Sequence, residues 1–509
     1  MIATLDARLQ RLSDRLDPML VRCVRQDLRS KVFVGVFSLL LLVSAAAALI
    51  FATSAGASGD ADRTYGRELF IVLAWCWSFA LIVVQASATH RLVAQERNDD
   101  TWDLVELTGL PPKRIVRGLL VASLTQSALY TAAMAPFLVM AYLLRGLDLL
   151  TILAALVTVP MLGVLAAAIS LFLACAAPNK KARMAGGGLV GLVMLFGWGF
   201  SSALQFNSWD RGLAQLLRAL ADGESWAWLA FGIGANAWAG LVWMFLVLAT
   251  TLLTHRAEDR SSRPRLAYGL LWLNAIAWLG AAIAIAQPGR REVEQLLVGL
   301  GIAGAFIALV GGFFSVTEDR ELTPRQARSI AEGHGWRRRA SPLLGPGGSR
   351  GRWFLLALAA TDAALLAGAF GSSSDVVHAA ALGWYSLGYG MAVLLAGDWL
   401  ARVPFGRWCS QPAHRRLVVL ALASAWSILP PLAAMVVGDE GGLYPLLRFL
   451  TPEWAVYQYA FEEPDAFGSV VLFVLPAAMA VVLAAQAIRY RTTVTRRVVA
   501  DAGDRNPRT

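Results

Sequence analysis

The residues whose chemistry is easiest to recognise in a sequence are scattered along this chain. Its histidines and cysteines show none of the HxxxH, HExxH or CxxC spacings that zinc sites, iron sites and disulfide frameworks need. They are His90, His255, His334, His378, His414, Cys23, Cys76, Cys175 and Cys409. The glycine-rich segment 345–351 lacks the Lys-Ser/Thr pair that ends a phosphate-binding loop. The residues therefore predict no metal site, and an enzyme acting by itself is not expected.

Asp362 is the one clear acidic residue inside a long apolar stretch, 353–370. Placing a charged side chain at the centre of a membrane costs roughly 2.5–3.5 kcal/mol on insertion scales, so such residues commonly have a function. Asp362 could bind a proton, a cation or a substrate. It could equally face other helices and be satisfied by Ser, Thr or backbone groups. His378, Tyr385 and Tyr389 in the next apolar stretch are candidate neighbours.

Residues with recognisable capping roles occupy the connection between the second and third apolar stretches. Asp100 is a favourable N-cap, and Gly109 is placed to end a helix. Pro111 and Pro112 then begin the next helix. The spacing predicts a two-turn helix that presents acidic side chains and Trp102 to the cytosol, where it can transmit force from a cytosolic partner. The alternative is a capped connector without a partner.

The composition places these residues in a membrane. Hydrophobic residues make up 57% of the 509 residues, charged residues only 16%, and the mean hydropathy is +0.56. A water-soluble surface needs more charge than this. Apolar runs of about 20 residues, which cross ~30 Å of hydrocarbon as helices, recur along the chain. We expect an all-α polytopic membrane protein; disorder, a nucleic-acid-binding domain and a large soluble catalytic domain are excluded.

About twelve membrane-spanning helices are predicted from length and hydropathy. They are 32–53, 69–89, 116–144, 149–177, 184–206, 226–254, 266–287, 295–316, 353–370, 376–397, 417–437 and 468–488. With both termini in the cytoplasm, 37 of the 45 Lys and Arg residues fall in the inside segments, as the positive-inside rule requires. The net charge of +10 therefore indicates topology and attraction to anionic lipid headgroups rather than a nucleic-acid partner.

The first 31 residues are polar but patterned. Leucines recur every three or four positions, which indicates one apolar helix face. Arg22, Arg25 and Arg29 then lie on one side. We predict an amphipathic helix in the cytoplasmic interface that leads into the first span. The alternative is a helix that only anchors the chain.

Two inside loops of the second half are long and charged. The Gly/Pro content of 317–352 predicts a cytoplasmic linker. Its charged run, which begins at Glu318, is predicted to be a solvated or lipid-facing surface. The loop 398–416 is interpreted either as a second contact surface or as a basic interfacial loop with Trp anchors.

Two segments of the first half resemble ABC transporter permeases of the ABC-2 exporter type. In that family a Glu-Arg and Gly-Thr segment is followed by a Leu-rich short helix, a Pro and a basic start of the third span. Gln95-Glu96-Arg97, 101–107 and 110–118 line up with this pattern. Residues 17–30 are similar to the family's interfacial connecting helix. An extended outer loop between the fifth and sixth spans also fits, so the resemblance covers about 1–254.

The resemblance implies a permease that is driven by a separate cytosolic ABC ATPase subunit. The residues expected to couple to it are Glu96, Thr101, Trp102, Asp103, Leu104, Glu106, Leu107, Pro111 and Lys113. Trp102, Asp103 and Glu106 are expected to contact a groove with basic residues, and Glu96 to hold the loop by an ion pair with a nearby Arg. ATP and Mg would be bound by the partner subunit, and no cofactor by this chain.

The same resemblance divides the chain into an interfacial helix (1–31), a six-span permease module (32–254) and a second six-span region (255–509). A bacterial-type plasma membrane is the expected location, and a homodimer or heterodimer of permeases is left open. The alternative function is a twelve-span secondary transporter driven by an ion gradient, which Asp362 permits. The scarcity of charged residues within the spans favours the permease.

Overall fold

The computed structural model describes residues 21–25, 29–58, 65–98, 110–145, 147–176, 187–199 without 189 and 193, 214–255, 258–286, 290–318, 322, 326, 342–367, 374–406, 409, 412, 414–419, 421–422, 425, 474 and 477–489. Side chains within these ranges are described except at 56–58, 95–98, 214, 286, 290–292, 294–295, 298, 302–303, 306, 374–382 and 385. All the described residues lie in helices, turns or short connections, and none lies in a strand. The expectation of an all-α protein is confirmed for this part of the chain.

The chain forms two compact units, Met1–Thr254 and His255–Thr509. The division follows Thr254, which is also the last residue of the predicted six-span module. The assignment of the first unit to a permease module stays a prediction.

Long helices make up the first unit. They are α1 (Lys31–Ser58), α2 (Tyr65–Phe79), a π-helical segment (Ala80–Gln85), α3 (Ala86–Asn98), α4 (Pro112–Leu143), α5 (Leu149–Ala176), α6 (Ala214–Ala221) and α7 (Ser225–Leu253). The π segment joins α2 and α3 into one continuous helix, since the backbone on both sides of it keeps helical angles. Buried side chains of α1, α2, α4 and α5, Trp77 and Tyr130 among them, form an apolar core.

Local sequence explains where these helices begin and end. Pro111 has an extended backbone (φ −66°, ψ 140°) and Pro112 takes the first position of α4, where its missing N–H is not needed. Gly223 ends α6 with φ +78°. There the N–H of Gly223 donates to the carbonyl of Leu220, and the N–H of Glu224 to that of Ala219. This Schellman arrangement needs the left-handed conformation that glycine adopts without strain.

The second unit contains α8 (Ser262–Ala286), α9 (Arg290–Val316), α10 (Gly348–Ala367) and α11 (Ser374–Arg402). A further apolar helix covers Ala477–Arg489. Glycines let α9 approach its neighbours closely, because a Cβ at Gly312 would lie within 3.0 Å of Leu355 on α10 and of Leu394 on α11. Small residues at helix interfaces are typical of packing in membranes.

Within the described part of the chain, six helices are long and apolar enough to cross a membrane: Lys31–Ala55, Tyr65–Ala94, Pro112–Leu143, Leu149–Ala176, Ser225–Leu253 and Ser262–Ile285. Large apolar side chains on them, such as Leu42 and Leu49 of α1, are exposed, which is expected of surfaces that face lipid rather than water. The protein is therefore an all-α membrane protein. Three further predicted spans are helices in the structure, namely α9, α10 and α11. The count of twelve spans stays a prediction.

Candidate functional site

The predicted coupling segment lies between α3 and α4, and most of it lies outside the described residues. This applies to Thr101, Trp102, Asp103, Leu104, Glu106 and Leu107, and to the side chain of Glu96 in α3. The structure does describe Pro111 and Lys113, which are both exposed at the start of α4. The segment 99–109 thus connects the end of one long helix to the beginning of the next.

The ends of α3 and α4 contribute side chains to an apolar cluster, which we term the base cluster. Its buried members are Cys23, Leu92, Val93, Ile115, Val116, Leu119, Ala122, Leu171, Ala174, Cys175, Ala249 and Leu253. Leu110, the last residue before Pro111, packs against it. The base cluster therefore unites the two helices beside segment 99–109 with α5, α7 and the residues that precede α1.

The described part of the predicted interfacial helix fits one buried and one exposed side. Residues 21–25 are helical, with Cys23 buried in the base cluster. Arg22, Arg25 and Arg29 are all exposed. Ser30 then caps α1, because its Oγ accepts the N–H of Phe33 at 3.1 Å. The three arginines are thus exposed, and their position in the cytoplasmic interface stays a prediction.

A buried polar cluster lies where the π segment meets α3, and we term it the Gln85 cluster. Gln85 Nε2 donates to the carbonyl and hydroxyl oxygens of Ser123 at 2.8 and 2.7 Å. Its Oε1 accepts the hydroxyl of Ser127 at 2.8 Å, and Thr89 Oγ1 lies 3.1 Å from Ser123 Oγ. On the other side, Ser170 Oγ of α5 donates to the carbonyl of Ala86 at 2.5 Å. Every polar atom of the Gln85 side chain is therefore satisfied by a neighbouring helix.

Sequence reasoning missed the Gln85 cluster. A signal was present, because Gln85 and Thr89 recur four residues apart within one predicted span, and Ser123 and Ser127 do so within the next. His90, also missed, is buried beside Gly187, and its Nε2 has no hydrogen-bond partner among the described residues. π segments within helices frequently occur at functional sites.

The second unit contains a network of buried charges at one end of its helices. Arg352 of α10 and Arg402 of α11 both bind Asp398, each at 2.7 Å, and these side chains are no more than 8% exposed. Arg265 of α8 binds Glu318 at 2.5 Å.

The same network closes the C-terminal end of α9. Arg402 Nη2 donates to the carbonyl oxygens of Val316 and Glu318 at 3.1 and 2.8 Å. Arg415 Nη1 donates to the carbonyls of Thr317 and Glu318 at 3.4 and 3.3 Å. These carbonyls lack partners within the helix, and cations are favourable at that end of the helix dipole.

This network corrects two expectations. Glu318 was expected to lie on a solvated or lipid-facing surface, yet its side chain is 16% exposed and paired with Arg265. The other charged residues of that run, 319–321 and 337–339, lie outside the described residues. Segment 398–416 was interpreted either as a second contact surface or as a basic interfacial loop; its first five residues belong to α11, which continues to Arg402, and Asp398 and Arg415 are buried. The physical reason is that the helix ends pack against one another and bring opposite charges together, which removes them from solvent.

Asp362 is fully buried in α10, and neither of its carboxylate oxygens has a hydrogen-bond partner among the described residues. Of its candidate neighbours, Tyr389 is half-buried in α11, and the side chains of His378 and Tyr385 lie outside the described set. Among the side chains that the structure describes, no three His, Cys, Asp or Glu residues come together as a metal site.

Comparison of the chain with models of protein families, with curated proteins and with solved structures finds no match. Functional inference therefore depends on the residues of this chain and their contacts. The structural features that bear on function are the pair of helices α3 and α4 that flank segment 99–109, the Gln85 cluster, the buried charge network and Asp362.

Proposed function

We propose that this protein is the membrane-embedded permease subunit of an ATP-driven ABC transporter of the ABC-2 exporter type. A separate cytosolic ATPase subunit binds ATP and Mg and pushes on segment 95–118. This chain carries the movement into the membrane and hydrolyses nothing itself. The membrane is a bacterial-type plasma membrane, with twelve spans and both termini in the cytoplasm.

The observation that supports this proposal most directly is the hairpin that α3 and α4 form around segment 99–109. Leu92 and Val93 lie in one cluster with Ile115 and Val116, close to the segment. Further into the bundle, Gln85 binds Ser123 and Ser127. Both helices thus contribute to one apolar cluster near the segment, and Gln85, the residue just before α3, is hydrogen-bonded to α4, so a push on the segment is expected to reach both helices.

The base cluster extends this movement to other helices. Cys175 of α5 and Leu253 of α7 belong to it, as does Cys23 before α1. Packed interiors transmit displacement because they have few voids and low compressibility. A force applied between α3 and α4 therefore reaches α5, α7 and the interfacial helix.

The charges around the segment suit a basic docking groove. Residues 99–106 contain Asp99, Asp100, Asp103 and Glu106 and no basic residue. Lys113, Arg114 and Arg117 follow on the exposed side of α4, where they lie near anionic headgroups. The acidic segment then faces the partner, and complementary charges favour its encounter with a basic groove.

Photo-crosslinking tests the docking directly. A photoreactive amino acid at position 102 is expected to capture an ATPase subunit in intact cells, whereas the same amino acid at position 222, exposed and predicted outside, captures none. The captured protein must carry ATP-hydrolysing activity. Crosslinks from position 102 only to lipid or to this chain would overturn the proposal.

Charge substitutions give a second measurement. Glu106→Lys is expected to lower the ATP-hydrolysing activity that co-purifies with the chain at least fivefold, because it places a cation against a basic groove. Asp222→Lys makes the same charge change at an exposed position outside the segment and is expected to leave that activity unchanged. Equal activity in both variants would contradict the assignment of Glu106.

The alternative, a secondary transporter driven by an ion gradient, is favoured by one observation, the buried carboxyl group of Asp362, which accepts no hydrogen bond from the described residues. Sealed vesicles separate the two functions. The permease requires ATP and a second subunit and is indifferent to an ionophore. Transport that needs no ATP and no second subunit, and that stops when an ionophore collapses the ion gradient, would establish the alternative.

A further inference from the structure

The carboxyl group of Asp362 is enclosed between α9 and α10. A Cβ atom at Gly304 of α9 would collide with Oδ1 of Asp362 and with the ring of Trp272 on α8. The absence of a side chain at Gly304 therefore creates the space that the carboxyl group occupies. The group lies directly against the backbone of α9, and its residue is 0% exposed.

The hydroxyl group of Thr361, the residue before Asp362, is hydrogen-bonded to groups other than Asp362. Thr361 Oγ1 accepts the Nε1–H of Trp272 at 2.9 Å and donates to the carbonyl of Leu358 at 2.8 Å. Neither oxygen of Asp362 accepts a hydrogen bond from any described residue. Of the two alternatives for Asp362, satisfaction by Ser, Thr or backbone groups is thus not seen within the described part of the chain.

The charged groups on the packed elements lie toward the helix ends. Arg265 is bonded to Glu318, and Arg352 and Arg402 are bonded to Asp398. Arg352 is ten residues from Asp362, about 15 Å along the helix. Other charged or titratable residues on α8, α9, α10 and α11 are Arg263, Tyr268, Arg350 and Tyr389, together with Arg290, Arg291, Glu292, Glu294, Asp375, His378 and Tyr385, whose side chains are outside the described set.

A proton is the ligand that suits this environment. An ionised carboxylate without a partner is costly in an apolar interior, whereas a bound proton removes the charge and needs almost no space. A calcium or magnesium ion takes about six or more oxygen ligands, and the contact with Gly304 leaves no room for them at Oδ1. An ion pair would need a basic group, and the described ones nearby are bonded elsewhere.

We propose that Asp362 is a proton-binding site and that the packing of α10 against α9 is the form in which it holds the proton. When the proton leaves for water, the carboxylate must reach water or a cation, so α10 must separate from α9 at Gly304. The packed form then binds one proton more than the separated form, and raising the pH favours separation. The second unit thereby gains a proton-linked movement that is distinct from the ATP-driven movement proposed for the first.

Infrared spectroscopy of the full chain in alkyl maltoside micelles, which contain no carbonyl group, tests this proposal without any ATPase. At about pH 8 ordinary Asp and Glu side chains are ionised, so a protonated carboxyl group gives an isolated C=O stretching band above the amide I band. We expect one such band in the wild-type protein. Asp362→Asn, a neutral replacement of the same shape, is expected to remove it completely, and Asp222→Asn at an exposed position is expected to retain it.

Isotope labelling makes the result independent of how the variant folds. Aspartate carrying ¹³C in its side-chain carboxyl group is expected to shift the band of the wild-type protein to lower frequency. Absence of the band from folded wild-type protein, or its persistence without a shift, would overturn the proposal. The linked movement predicts that the protection factors of the amides in 358–366, which are corrected for the intrinsic pH dependence of exchange, fall at the pH at which the band disappears; unchanged protection there would refute the coupling.

Discussion

At the residue scale, the buried charges of the second unit show how much an ion pair depends on its surroundings. Asp398 is 4% exposed and accepts from Arg352 and Arg402. Arg352 is held from two further sides, because its Nε donates to Gln486 and its Nη1 to the carbonyl of Gly348. Taking these groups out of water is expensive, so the network stabilises the fold only while every member keeps its partners.

Removing the shared acid is therefore expected to be far more damaging than removing an exposed one. Asp398→Asn leaves two buried guanidinium groups short of an acceptor and is expected to lower the free energy of unfolding by about 3–5 kcal/mol. The measurement is chemical unfolding in detergent micelles, followed by tryptophan fluorescence.

The matched control is Asp148→Asn. Asp148 pairs with Arg218 at 2.5 Å, but the two side chains are 56% and 67% exposed. Such surface pairs contribute about 0–1 kcal/mol because water and salt screen them. Similar losses in the two variants would mean that the network around Asp398 is hydrated rather than buried.

At the element scale, the π segment and the Gln85 cluster belong together. A π segment places one extra residue in a helical turn and changes the direction of the side chains that follow. Gln85 is the last residue of that segment, and its side chain points at α4, where it is hydrogen-bonded to Ser123 and Ser127. The joint between α2 and α3 is thus fixed from outside the helix, by side chains of α4 and α5.

Replacing Gln85 by Leu tests this attachment. The change removes three hydrogen bonds between the helices while keeping the volume similar, and it is expected to lower the free energy of unfolding by roughly 0.6–2 kcal/mol. A double-mutant cycle with Ser127→Ala, followed by unfolding in micelles, measures the coupling between the two side chains, which is expected to exceed about 0.5 kcal/mol.

Thr158→Val provides the comparison for that cycle. The hydroxyl group of Thr158 donates to the carbonyl of Ala154 in its own helix, at 2.9 Å, so its loss breaks no contact between helices. Additive effects of Gln85→Leu and Ser127→Ala would show that the Gln85 cluster does not bind α3 to α4.

Helix positions could be predicted from the sequence, whereas the polar contacts could not. Apolar runs of about 20 residues placed α1, α4, α5 and α7 within a few residues of their observed bounds. Hydropathy has no sensitivity to whether a turn is α or π, so the segment that orients Gln85 was missed. Charges at span ends, such as Glu318, were interpreted as solvated because their partners are distant in sequence and meet only when the helices pack.

At the scale of the whole molecule, the two units are stabilised by different kinds of contact. The first unit, Met1–Thr254, relies on apolar clusters and neutral hydrogen bonds within its bundle. The second, His255–Thr509, combines close helix contacts at glycines with buried ion pairs. The proposed functions follow this difference, with ATP-driven force entering the first unit and proton binding in the second.

Both proposals require a definite orientation in the membrane, which labelling of introduced cysteines can establish. Positions 113 and 343 are exposed and predicted inside, and position 222 is exposed and predicted outside. A membrane-impermeant maleimide added to intact cells is expected to label Asp222→Cys, and to label Lys113→Cys and Leu343→Cys only after the membrane is permeabilised. The physical basis is the excess of Lys and Arg on the cytoplasmic side.

The native cysteines set the background for this experiment. Cys23, Cys175 and Cys409 are buried and Cys76 is half-buried within a span, so the wild-type protein is expected to be labelled weakly under either condition. Labelling of Lys113→Cys in intact cells would place segment 99–109 outside, beyond the reach of any cytosolic ATPase. That result would leave the hairpin of α3 and α4 intact as a structure and remove the source of force that the proposed function assigns to it.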